Sequence, residues 1–212
     1  MYSSSGTHRT LPLSLTLTLT PTSTHAGIVD CAACLVRLVR QLFPNAIDIL
    51  DTAERGHFPG PPPALLPDTD AQSIVEVMLS ADEVGLTEMG ANQAVLVRCE
   101  AAKARLPFEL RNGLVLTVEQ SKGLEFDTVF VVGCEEDLLP HYHATRGDDG
   151  EGEAESEGVD EERRLLYVAM TRARRRLYLC WAHQRLIWGT QKGADRSRFL
   201  DELCGSGLVE TL

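Results

Sequence analysis

VDEERRLLYVAMTRARRRLY, residues 159–178, changes character twice within a short span. It opens acidic, runs apolar at helical spacing, and passes through Thr171-Arg172-Ala173 into a β-rich stretch. Leu165, Val168, Ala169 and Arg172 fall at i, i+3, i+4 and i+7, so the arginine extends the apolar stripe of a helix at its very end. A cation at that point has two uses. It can cap the negative end of the helix dipole, or its long side chain can follow the packed surface into a cleft.

Working outward, strand-like and helix-like segments alternate. Gln93–Arg98 (QAVLVR) is apolar and β-branched, and Glu100–Leu110 reads as a helix weakened by Pro107. Leu114–Val118 and Asp127–Cys134 are strands, the helix from Asp160 leads into a strand over Arg176–Trp181, and Ser197–Leu203 is a short helix. This order predicts an α/β fold: a parallel sheet covered by helices on both faces. Ligands on such sheets gather at the carboxyl ends of strands, where Arg98, the loop after Val118 and Cys134 are expected.

Before these segments, Ile28, Cys31, Ala32, Leu35, Leu38, Val39 and Leu42 share one helical stripe that ends before Gly60-Pro61-Pro62-Pro63, a stiff loop. Cys31 and Cys34 form a CxxC, but a zinc site needs four ligands and no second CxxC exists, so both are expected to pack and no metal site is expected. Ile74, Val77, Met78 and Ala81 mark a second helix. Asp82-Glu83 at its end superficially resembles the acidic pair of a magnesium site, but such a pair follows a strand. Residues 1–26 are Ser/Thr-rich and acid-free, with Arg9 as their sole arginine. They read as a disordered or unreliable leader, an organelle transit peptide being the alternative.

Net charge is −11, yet residues 148–162 hold nine acids and no base, which leaves the remainder near −2. From Arg163 onward there are ten Lys or Arg against four Asp or Glu. The overall charge therefore neither excludes nor indicates a nucleic-acid partner. Residues 144–160 are expected to form a mobile acidic loop, either inert or shielding the basic segment as a phosphate mimic. Asp160, Glu161 and Glu162 would then suit the positive N-terminus of the following helix. No apolar run is long enough for a membrane span. Six scattered cysteines point to a reducing intracellular setting, with nucleus and cytoplasm not distinguished.

TVEQSKGLEFD, residues 117–127, lies between two strands. Gly123 permits a tight turn and close approach to a ligand, Lys122 offers a donor to phosphate, and Glu125 a carboxylate that could accept from a ribose hydroxyl. A polar connection with a surface ion pair is the plainer reading. The order Thr-x-x-x-x-Lys-Gly-Leu-Glu-Phe, then an apolar strand, then EEDLLP at 135–140, is far more specific.

With these residues in view, the chain resembles the second RecA-like domain of the UvrD/Rep-type superfamily 1 helicases. TVEQSKGLEFDTVFVVGCEEDLLP is similar to that family's motif V and following strand, EERRLLYVAMTRARRRLYL to motif VI, and QAVLVRCEAAKARLPFEL to motif IV. Residues 27–66 resemble more weakly a eukaryotic branch that includes large tetratricopeptide- and ankyrin-repeat proteins. The resemblance spans about 27–204 and is strong over 93–181. It implies residues 27–90 as a helical lead-in, 91–204 as the RecA-like domain, and 205–212 as a tail.

The resemblance also implies roles. Arg172 would reach across an interdomain cleft to the γ-phosphate of ATP as an arginine finger, and Arg98 would add a second cation at that phosphate. Glu125 would contact the nucleotide sugar, with Lys122 and Gly123 beside it. Thr117, Glu119 and Gln120 would lie along single-stranded DNA or RNA. Three departures stand against the pattern. Glu119 replaces a histidine frequent in motif V. Motifs IV and V are joined by little more than Arg111-Asn112-Gly113, where UvrD and Rep insert an accessory domain. The dipeptide Gly-Lys never occurs, so there is no Walker A.

The expected function is thus the C-terminal half of an ATP-dependent helicase motor. ATP and Mg2+ would be held mainly by a separate Walker A-bearing RecA-like domain, in cis or in trans, and no membrane would be involved. These residues alone are expected to hydrolyse no ATP. The alternatives are a non-catalytic interaction module that keeps the motifs by inheritance, or a fragment of a longer product. Trp181, Arg185 and Trp188 could stack on bases or pack at the sheet edge.

Overall fold

The computed structural model describes residues 24–42, 56, 58–66, 74, 92–111, 113–145, 152–187 and 190–212. Helix α1 (Ala26–Leu42) leads to β1 (Ala64–Leu66), and then β2 (Gln93–Val97) precedes two short helices, α2 (Glu100–Arg105) and α3 (Phe108–Arg111). Next come β3 (Val115–Thr117), β4 (Phe126–Val132), α4 (Tyr142–Thr145), the long α5 (Gly152–Met170) and β5 (Ala173–Cys180). A hairpin of β6 (Gln184–Ile187) and β7 (Thr190–Gly193), helix α6 (Arg198–Gly205) and β8 (Glu210–Thr211) complete the order.

Six strands form one sheet in the order β3-β2-β4-β5-β1-β8, and every pairing is parallel. Burial explains the sequence pattern. All five residues of β2 and the last four of β5 are buried, which is what a strand covered on both faces requires. Successive side chains still part to opposite faces. Ala94, Leu96, Val129, Val131, Leu177 and Leu179 join Ile28 and Leu35 of α1, Leu166 and Met170 of α5, and Phe199 and Leu203 of α6 in one core. Val95, Val97, Phe130, Tyr178 and Cys180 face Leu106, Leu110 and Ile74 on the other. There Phe130 and Tyr178 stack at 4.7 Å, joining the two central strands.

The structure departs from the sequence-based expectations in several places. Within the expected helical lead-in of 27–90, α1 packs into the main core and β1 pairs with β5. Residues 210–211, expected as tail, form the strand beyond β1. Both strands are too short to carry a periodic signal, so only the sheet beside them reveals them. The predicted helix over 100–110 is two helices parted at Leu106-Pro107, since proline cannot donate to the preceding turn. The expected acidic loop over 144–160 is helical from Gly152. Asp160 and Glu162 consequently sit mid-helix and pair with arginines, instead of facing the helix N-terminus. Of the second predicted helix only Ile74 is described, helical and buried, while the Ser/Thr-rich leader through residue 23 and Trp188 lie outside the described residues.

Candidate functional site

Helix α5 runs down to the amino end of the sheet and delivers Arg172 two residues past its last turn, immediately before β5. The side chain turns back on the helix. Its Nε donates to Val168 O at 3.0 Å, its Nη2 donates to Thr171 Oγ1 at 3.2 Å, and its Nη1 donates to Leu124 O at 3.1 Å. Thr171 Oγ1 in turn donates to Val168 O at 3.0 Å, so hydroxyl and guanidinium share one helix-end carbonyl. The cap function read from the sequence is therefore real. It does not exhaust the side chain, because a guanidinium carries five N–H groups and two of them meet no acceptor among the described residues. Partial burial lowers the pKa of Arg172, and the nearby Glu125 carboxylate opposes that shift. It still carries full positive charge near neutral pH.

Leu124 and Glu125 reach this rim by a crossing segment that begins at the opposite end of the sheet. Thr117 and Gln120 start it with a reciprocal pair: Gln120 N donates to Thr117 Oγ1 at 3.2 Å, and Thr117 N donates to Gln120 Oε1 at 3.0 Å. This is the capping-box arrangement of a Thr-x-x-Gln sequence. Buried Ser121 donates to Val118 O at 2.7 Å. Gly123 then takes φ +80°, a left-handed value that costs an L side chain energy, and Leu124 is left exposed. Glu125 lies 3.5 Å from Arg174 Nε. Lys122 and Glu119 are exposed, whereas Thr117 is buried and its side chain is occupied in the turn.

Arg98 stands elsewhere. It follows β2 at the carboxyl end of the sheet, where its Nε donates to Glu162 Oε2 at 2.8 Å and its Nη2 contacts the same carboxylate. Glu162 is buried and also accepts from His141 N at 3.2 Å. The hydrogen bonds to Glu162 hold the Arg98 pKa above its ordinary value. One residue on, buried Arg163 bonds Asp160 and donates to Glu202 of α6 at 2.8 Å, its guanidinium 5.1 Å from the Phe199 ring. The Glu-Arg pair at the heart of motif VI thus ties α5 to β2 and to α6.

The expected site residues are therefore divided. Arg172, Leu124 and Glu125 come together at the amino end; Arg98, Thr117, Glu119 and Gln120 lie at the carboxyl end, and Lys122 N donates back to Glu119 O in the turn that follows β3. The register Leu96↔Val131↔Leu179 puts Arg98 some eight residue steps above Arg172, or roughly 25 Å at 3.3 Å per residue. Two arginines so far apart cannot grasp one phosphate, which corrects the expectation for Arg98. Cys134, expected near a ligand, is buried core. Trp181 is buried with its ring edge-on to His183 at 4.2 Å, so it packs at the sheet.

Sequence reasoning missed Arg174 and Arg175. Both are exposed beside Arg172, and their signal was the Arg-Arg-Arg run of 174–176; the sequence-based strand began at Arg176, three residues later than the observed one. Cys31 is fully buried in the core beside α5 and α6, and its thiol is pushed up to about 12 by burial. Among the described residues no group of three or more His, Cys, Asp or Glu could hold a metal ion.

Residues 96–184 match the family model described as the UvrD-like helicase C-terminal domain. The chain is 43% identical over 95 residues to the ATP-dependent DNA helicase Rep of Buchnera aphidicola subsp. Baizongia pistaciae, covering 45% of this chain and 13% of that protein. It is 41% identical over 96 residues to the ATP-dependent DNA helicase PcrA of Staphylococcus epidermidis, covering 45% of this chain and 12% of that one. The matched region is thus a small part of either relative. In structure it is similar to the C-terminal domain of a possible DNA helicase from Lactobacillus plantarum WCFS1, with a TM-score of 0.52 over 89% of this chain and 97% of the other. At 16% identity that likeness concerns the fold. Three ordered motifs, a parallel sheet with helices on both faces and this family match agree: over residues 96–184 the chain is similar to the C-terminal domain of UvrD-like helicases.

Proposed function

We propose that this chain supplies the second RecA-like half of an ATP-driven single-strand translocase, with Arg172 as its arginine finger. The observation that carries the reading is the state of that guanidinium. It is half-buried at the rim, held by three neutral oxygens, and two of its N–H groups meet no acceptor among the described residues. A planar cation presented this way suits charge spread over the oxygens of a transferring phosphoryl group. Glu125, on the loop that Arg172 grips, would accept from a ribose hydroxyl, with Lys122 and Gly123 preceding it in the chain.

ATP would sit on a Walker A-bearing RecA-like domain in cis or in trans. Mg2+ would be carried there too, since the described residues offer it no ligand cluster. Thr117, Glu119 and Gln120, at the far end of the crossing segment, would face single-stranded DNA or RNA. Thr117 would act through its turn more than through a free hydroxyl.

The test joins the chain to such a domain and measures ATP turnover. R172A is expected to lower turnover by about 10³-fold or more, with native secondary structure retained. Unchanged turnover ends the reading and leaves an interaction module. The 212 residues alone should show none.

A further inference from the structure

Arg172 does not stand alone at the amino rim. Between β4 and β5 the register passes from Phe126↔Ala173 to Thr128↔Arg176, so β5 spends one residue more than its partner over the same rise. This is a β-bulge, and it falls on Arg174 and Arg175. In a regular strand two consecutive side chains take opposite faces, and one of these arginines would be driven toward the core side. The bulge instead leaves both exposed. Bulges of this kind re-aim side chains and are common beside functional sites.

The backbone around the bulge is held from outside the sheet. β1 pairs with β5 only over Tyr178–Cys180, and below it Arg174 O accepts from His25 N at 2.9 Å, at the start of α1. No acidic residue occupies the first turn of α1, so the positive end of that helix adjoins the same rim. The acids facing the bulge are Glu125, which engages Arg174 at 3.5 Å, and Asp127 on β4. Among the described residues no carboxylate forms an ion pair with Arg175.

We propose that Arg175, assisted by Arg174, is a phosphate-binding cation that acts beside Arg172, in the place that Arg98 is too distant and too firmly paired to fill. The ligand class is the polyphosphate chain of a nucleotide. This inference deepens the proposed function and rests on its placement of Arg172 at the nucleotide. The bulge turns a strand start into a fork of guanidinium groups, of which Arg175 brings the least neutralised charge. Arg174 contributes less because Glu125 already claims it.

Inorganic triphosphate titrated at low salt into the full 212-residue chain, followed through the arginine Nε–H NMR signals, tests the assignment. R175A should weaken binding about five-fold or more and R174A about two-fold, as charge-assisted contacts to phosphate do. R175K should recover part of the loss, and R98A should leave affinity unchanged. If R172A weakens binding and R175A does not, the inference is overturned while the finger reading stands. If R175A weakens binding and R172A does not, the Arg175 contact stands and the reading of Arg172 falls. A loss confined to a single-stranded oligonucleotide, with triphosphate binding intact, overturns the inference and assigns the bulge to the strand.

Discussion

The two ends of this sheet each present an arginine, and they treat it in opposite ways. At the carboxyl end Arg98 meets Glu162, a carboxylate that is itself buried and further held by His141 N. Charge meets charge, and the pair becomes a fastener between β2 and α5. At the amino end Arg172 meets carbonyls and a hydroxyl. Those dipoles orient the guanidinium without neutralising it. The contrast teaches that the partner of a cation, more than its exposure, separates a structural from a reactive role: neutral acceptors position a charge that an ion pair would consume.

The sharpest way to break this comparison is turnover in an assembly with a Walker A-bearing domain. R172A should cost about 10³-fold or more, whereas R98A, scored per folded molecule, should cost less than about three-fold, because Arg98 is too far from the same phosphate. Equal losses would dissolve the distinction. Stability should show the reverse order. E162A strands a half-buried guanidinium and an amide, and urea unfolding should report a loss of about 2–3 kcal/mol, discounted from a fully buried pair for the partial exposure of Arg98. R172A should lose no more than about 1 kcal/mol, the scale of a cap.

Triphosphate binding sharpens the amino end. The five-fold effect expected for R175A is about 1 kcal/mol, and E125Q, by releasing Arg174, should tighten binding slightly. The smallest effect lies at the carboxyl end and depends on pH. Burial, and then the positive charge of Arg98, lowers the His141 pKa. Between that lowered value and the ordinary one the unfolded chain binds more protons than the folded chain. Stability therefore rises with pH across this window and is lost as pH falls through the usual imidazole range. H141Q should flatten that part of the stability profile by less than about 1 kcal/mol, leaving the carboxylate-driven loss at lower pH in place.

Much of the architecture was legible in the residues. β2, β4 and the later part of β5 are continuous apolar runs, and α1 and α5 carry stripes of 3.6 period; these signals are local and survive without tertiary context. The departures share a cause. β1 and β8 are two or three residues long, and their identity lies in the neighbours they pair with. The acidic approach to α5 reads as loop by composition because its charges look unsatisfied. Asp160 and Glu162 find their arginines only when the chain has folded.

For the site, chemistry and position came from different sources. The order of residue types (threonine, lysine-glycine, glutamate, then Thr-Arg-Ala after an apolar helix) was enough to name Arg172, Glu125 and Gly123, since a motif is a statement about which groups a reaction needs. How far those groups stand from Arg98 was not in that order. In a parallel sheet Arg98, after β2, and Arg172, before β5, stand at opposite ends, and the register decides the separation between them. That register is set by side chains packing across strands far apart in the chain, so the distance between two arginines, and the bulge that exposes two more, belong to the tertiary structure alone.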